Sequence, residues 1–159
     1  ERGWNLLAEL GYAQYEISNF AKPDAECRHN MNTWRMHEWI GCGPSSASQY
    51  NGERYPRPAN LEEWCLGMES TTSPRIEHIT LDDNLLLADA VIFGLRMNSG
   101  VDLKTLNLRF AHATNRIDLE TKLKFFEKEG LLKSKNTHYK LTHQGRLLCD
   151  SLGSNLLDV

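Results

Sequence analysis

This chain has no paired cysteines. Its four thiols, Cys27, Cys42, Cys65 and Cys149, stand far apart with no CxxC spacing, a pattern that excludes a two-pair zinc ribbon. It fits reduced thiols better than a disulfide framework, so cytoplasmic residence is expected. Cys27-x-His29 could open a zinc site, but tetrahedral zinc needs four ligands and no second pair lies at a suitable spacing. A basic surplus is missing too. Lys and Arg number 18 against 21 Asp and Glu, a net charge of −3, which argues against the counterion displacement on which nucleic-acid binding rests. No apolar run reaches the roughly 18–20 residues that cross a bilayer. The longest, residues 85–95, is broken by Asp89 and reads as a buried helix. There is no GxSxG, HExxH or P-loop, and no charged-then-apolar leader. Glu1-Arg2-Gly3-Trp4 opens inside an amphipathic helix, so a portion of a longer chain is expected.

What remains is ordinary in composition: 159 residues, 40% hydrophobic and 25% charged. That suffices for one domain, or one and part of another, around a sizeable core. Trp4, Leu6, Leu7 and Leu10 share a helical face, with Gly11 as its stop. Residues 12–17 read as a strand and 19–26 as a loop, so helix followed by strand makes half of an α/β repeat. Trp39-Ile40 reads as a further strand, residues 51–58 (NGERYPRP) as a linker, and Asn60 as the cap of a helix over 61–70. After a second linker over 71–74 the chain turns helical. Thr80 with Asp83 three positions on predicts a cap, the helix running to about Met97 with Gly100 beyond. Two more helices are predicted over 102–110 and 118–129; in the latter, Leu119, Leu123 and Phe126 recur on one face. Gly130 ends that helix, a hairpin follows over 131–141, and Thr142 caps a last helix through Leu148. Helices followed by a hairpin is the winged-helix pattern.

Three stretches carry candidate chemistry. In His29-Asn30-x-x-x-Trp34, imidazole can ligate haem iron, an amide can fix the loop and an indole can stack on a porphyrin; the plainer reading is a structural or exposed histidine. In the GCGPSSAS run, Gly41 and Gly43 allow close backbone approach to a ligand, or merely a tight turn. In YEISNF, Glu16 lies between a hydroxyl and an amide, suited to a polar site or to a strand end. Around Lys122, Lys124, Lys128, Lys133 and Lys135 the lysines alternate with Glu120, Glu127 and Glu129. That mixture reads as a solvated face with i,i+4 pairing, so no nucleic-acid partner is expected despite the winged-helix pattern.

Taken in order, GYAQYEISNFAKP, CRHNMNTW and WIGCGPSSAS resemble the barrel-closing segment of one radical-SAM family, that of the oxygen-independent coproporphyrinogen III oxidases and their haem-chaperone relatives. The resemblance extends to GLL and KLTHQGRLL in the last third, whereas the family's cluster motif, CxxxCxxC, is nowhere in this chain. It implies the end of a radical-SAM (β/α) barrel over 1–50, a linker with a helix over 51–74, and a mainly helical winged-helix-like domain over 75–159. It further implies a parent holding a [4Fe-4S] cluster and S-adenosylmethionine, and catalysis absent from this portion alone. The chaperone branch binds haem and passes it to recipient proteins; the oxidase branch decarboxylates propionates to vinyls. HNxxxW leans towards the chaperones, which places haem at His29, Asn30 and Trp34. The resemblance also places the adenine pocket of S-adenosylmethionine near Gly41, Gly43 and Ala47. Thr33 and Ala47 depart from the family's Tyr and His.

Overall fold

The computed structural model describes residues 2–69 and 77–157. It begins with α1 (Arg2–Glu9), which Gly11 closes at φ +82. Trp4 and Leu7 of its apolar stripe are half-buried, while Leu6 and Leu10 face out. Next come β1 (Ala13–Gln14) and β2 (Phe20–Ala21), paired antiparallel. The expected loop over 19–26 therefore contains a strand, and β1 meets a hairpin partner rather than a parallel neighbour. Every strand pair among the described residues is antiparallel. α2 (Arg28–Trp34) follows.

Residues 51–58 are not a linker. Asn51 (φ +54) and Gly52 (φ +76) both take the left-handed region, the requirement of a two-residue type I′ hairpin turn. They join β3 (Ala47–Tyr50) to β4 (Glu53–Pro56), with Tyr50 opposite Glu53. The Asn-Gly pair carried this signal in the sequence, but the two prolines and the arginines around it looked like a linker. α3 (Leu61–Glu69) starts as expected, the Asn60 side chain accepting the Glu63 amide at 3.0 Å. Its expected last residue and the expected 71–74 linker lie outside the described residues. β5 (Ile79–Thr80) then adds to the other edge of β4. Thr80 is thus a strand residue paired with Glu53, not a helix cap; its β-branched side chain suits that role.

α4 (Asp83–Arg96) is the central helix, burying Leu87, Ala88, Ala90, Val91 and Leu95. β6 (Val101–Asp102), α5 (Leu103–Arg109), α6 (Arg116–Lys128), β7 (Leu132–Lys135) and β8 (His138–Leu141) follow, and the strands form one sheet in the order β6-β8-β7. The predicted face of α6 is the one buried: Leu119, Leu123 and Phe126. Asp102 caps α5, accepting from the Lys104 amide at 3.3 Å and from the hydroxyls of Thr105 and Thr137. Thr142 caps α7 (His143–Leu147) through the Gly145 amide at 3.1 Å. α8 (Cys149–Leu157), which the sequence reading did not reach, inserts Cys149, Leu152 and Leu156 into the same core.

The chain divides into two compact units, residues 1–36 with 83–159, and residues 37–82. This differs from the boundaries expected near 50 and 74: the first 36 residues belong with the helical part, and the hairpin sheet with α3 stands as its own unit. No helix among the described residues is long and apolar enough to cross a membrane.

Candidate functional site

α2 is short, and its fastening decides what it can present. Cys27 precedes it in extended backbone (φ −66, ψ 107) with no side-chain cap. His29, in the first turn, is exposed; Asn30 is half-buried. The Thr33 hydroxyl donates to the His29 carbonyl at 3.1 Å. At the far end the Trp34 ring meets Phe93 of α4 edge-on at 5.6 Å, and the Arg96 guanidinium lies 4.9 Å from its centre. Met36, just past the helix, is 2% exposed and part of the core. The guanidinium of Arg109 donates to the carbonyls of Arg35 and Met36 at 2.8 and 2.5 Å, answering the unpaired carbonyls and negative end of the helix. Burial lowers the pKa of that guanidinium.

His29 and Trp34 are five residues apart, about 140° around the helix axis at 3.6 residues per turn. One points outward while the other packs on α4. The structure therefore does not place the imidazole and the indole on one face, as a ligand gripped by both would need.

YEISNF folds into a buried ionic corner. Glu16 is wholly buried; one carboxylate oxygen accepts from the Ser18 amide at 2.9 Å and the Asn19 side-chain amide at 2.5 Å. The other lies 3.8 Å from Arg96 Nε. Arg96 also pairs with Asp150 at 2.8 Å and reaches the Ser18 hydroxyl at 3.4 Å. The motif thus takes the structural alternative: Glu16 holds the β1–β2 corner to the end of α4, and Arg96 carries the link on to Trp34. Sequence reasoning missed Arg96. Its position in the last helical turn is a weak signal, because many such arginines only complement the helix dipole.

Gly41, Gly43 and Ala47 belong to the other unit. A side chain on Gly41 would collide with the chain's own Ala47 carbonyl, and the Gly41 amide donates to Ser48 Oγ at 3.0 Å. Trp39 Nε1 donates to that same carbonyl at 3.0 Å. The space that Gly41 opens is filled from within. Gly43 (φ +90) has open space where a side chain would stand, and Ala47 is exposed.

On α6, Lys122 pairs with Asp118 at 3.4 Å and Lys124 with Glu120 at 2.7 Å. Glu127 accepts from the Ser134 amide and hydroxyl. Among the described residues no three His, Cys, Asp or Glu side chains converge as metal ligands. Cys27, Cys42 and Cys65 are exposed; Cys149 is buried, which pushes its thiol pKa up. These thiols do not fit an iron–sulfur cluster, which needs closely spaced thiolates.

Residues 81–148 match the HemN C-terminal domain. "Radical S-adenosyl methionine domain-containing protein 1, mitochondrial" from Danio rerio is 36% identical over 104 residues, 60% of this chain and 23% of that protein. The heme chaperone HemW of Mycobacterium tuberculosis is 29% identical over 95% of this chain and 36% of its own length. HemW of Escherichia coli is 51% identical over 43 residues, 27% of this chain and 11% of that protein. This chain therefore spans well under half the length of these relatives. In three dimensions it is similar to coproporphyrinogen III oxidase (HemN) from Escherichia coli, described as a radical SAM enzyme. That match has a TM-score of 0.74 at 18% identity over 98% of this chain and 39% of that one. The motif run through CRHN, the matched domain and the shared fold agree: residues 81–148 carry a HemN C-terminal domain, and the chain as a whole is similar to the C-terminal part of HemW and HemN proteins.

Proposed function

We propose that this chain is the C-terminal part of a haem-binding chaperone, with haem as its cargo and His29 as the group that meets the iron. The observation that carries the reading is the build of α2, an exposed imidazole on a helix fastened at its far end by Trp34, Met36 and Arg109. Imidazole is a good haem-iron ligand, and a ligand on a fixed element spends little binding free energy on being ordered. The heme chaperone of Mycobacterium tuberculosis aligns across 95% of this chain. Asn30, half-buried beside His29, is assigned the holding of the loop. Trp34, engaged by Phe93 and Arg96, acts through α2 as a positioning residue and does not cover the porphyrin.

Residues 1–50 are proposed to end a radical-SAM barrel, with the open side of Gly43 and the exposed Ala47 lining the adenine pocket of S-adenosylmethionine. When bound in the whole protein, that cofactor with its cluster supplies radical chemistry; this chain's own thiols hold no cluster. The order β6, α5, α6, β7, β8 fits a winged helix, read here as a lid or partner surface over which haem reaches recipient proteins in the cytoplasm. Its Lys122 and Lys124 are already engaged by carboxylates, so mobility shifts with duplex DNA at physiological salt are expected to show no complex; salt-sensitive micromolar binding would reverse this reading. The direct test is a haem titration of the full-length protein. His29→Ala is expected to weaken binding by about tenfold or more, some 1.4 kcal/mol. Unchanged affinity would reduce His29 to a surface residue.

A further inference from the structure

A cavity of about 430 Å³ lies between α5, α6 and the β7–β8 turn, wholly within the helical unit and lined by no residue of α2. Its volume is in the range of small-molecule sites. Leu103 and Tyr139, both buried, give it an apolar wall, and Leu108, 74% exposed, adds an apolar lip. An exposed leucine beside a concave apolar wall is a surface that gains from being covered.

The charges around this wall are unequal. Lys104, Arg116 and Lys124 line the cavity against a single carboxylate, Glu120. Lys124 and Glu120 satisfy each other at 2.7 Å, leaving the charges of Lys104 and Arg116 in surplus. Arg116 is held in place, one of its terminal nitrogens donating to the carbonyls of Phe110 and Ala111, and its Nε is buried with no hydrogen-bond partner. Lys104, by contrast, is an exposed and adaptable cation. A polyanionic backbone would bring repeated charge past Glu120 and neighbouring Asp118; a small molecule need bring only one.

We propose that this cavity binds a small organic anion of the arylcarboxylate class, its flat apolar body against Leu103, Leu108 and Tyr139 and its carboxylate towards Lys104 and Arg116. The test is calorimetric titration of the full-length protein with 2-naphthoate and with its neutral analogue 2-naphthylmethanol. Naphthoate is expected to bind with a Kd near or below about 1 mM, and the alcohol several-fold more weakly. Lys104→Met is expected to weaken naphthoate about three- to fivefold, the scale of one exposed charge contact, and to leave the alcohol unchanged. Leu108→Glu is expected to abolish binding of both. Both substitutions fall at exposed positions, and unchanged melting curves confirm that the variants fold. Equal affinity for acid and alcohol, wild-type binding by either variant, or no heat up to about 10 mM ligand would overturn the proposal.

Discussion

At the scale of single residues, the buried corner around Glu16 is the most consequential feature. A wholly buried carboxylate survives only where donors and a cation answer it, and here Ser18, Asn19 and Arg96 do so. Arg96→Met leaves Glu16 without its cation. It is expected to cost on the order of 3 kcal/mol, as for other broken buried pairs, read from urea unfolding; a loss under about 0.5 kcal/mol, typical of surface changes, would mean that the corner carries no such role. Asp102 gives a pH signature. Hydrogen bonds from the Thr137 and Thr105 hydroxyls hold its carboxyl below the usual carboxylate value. The stabilisation is therefore present above the unfolded-state pKa near 3.9 and is lost as pH falls through the lower folded value. Comparing acid unfolding of wild type with Asp102→Ala should show that dependence diminished in the variant, together with about 1 kcal/mol of lost capping at neutral pH. Sequence reasoning singled out Glu16 by its motif, yet not its partner. Arg96 is far along the chain, and spacing rules speak only for near neighbours.

At the scale of elements, legibility followed local periodicity. The buried face of α6 was readable because Leu119, Leu123 and Phe126 repeat as a helix demands and all three are buried. Leu123→Ala is expected to cost about 2–5 kcal/mol, as a drop in the urea midpoint with an unchanged slope; a near-neutral result would mean that the face is not packed. β4 and β5 were misread for a reason of the opposite kind. Two-residue strands such as Ile79–Thr80 exist because of their partner, and a Pro-rich stretch conceals the Asn-Gly turn beside it. α8 escaped because Gly153 and a run of polar residues interrupt its pattern. α2 was legible as a motif, CRHNMNTW, but the opposed directions of His29 and Trp34 became visible only once the helix was seen to pack on α4.

At the scale of the whole molecule, the likeness to HemN and HemW proteins was legible in specific motifs while the division of the chain was not. Residues 1–36 pack with 83–159, an association between distant segments that no composition shift announces. The thiols, scattered between both units, predict that anaerobic reconstitution of this chain alone yields no stable [4Fe-4S] spectrum; a stable one would overturn that expectation. The central claim is that α2 presents His29 to haem iron, and chemical rescue tests it most directly. In the full-length protein loaded with haem, His29→Gly should lose the histidine-ligated Soret and visible bands, and millimolar imidazole, on the order of 10 mM for a ligand of about millimolar affinity, should restore them. A His29→Gly spectrum indistinguishable from wild type, with no response to imidazole, would contradict the account.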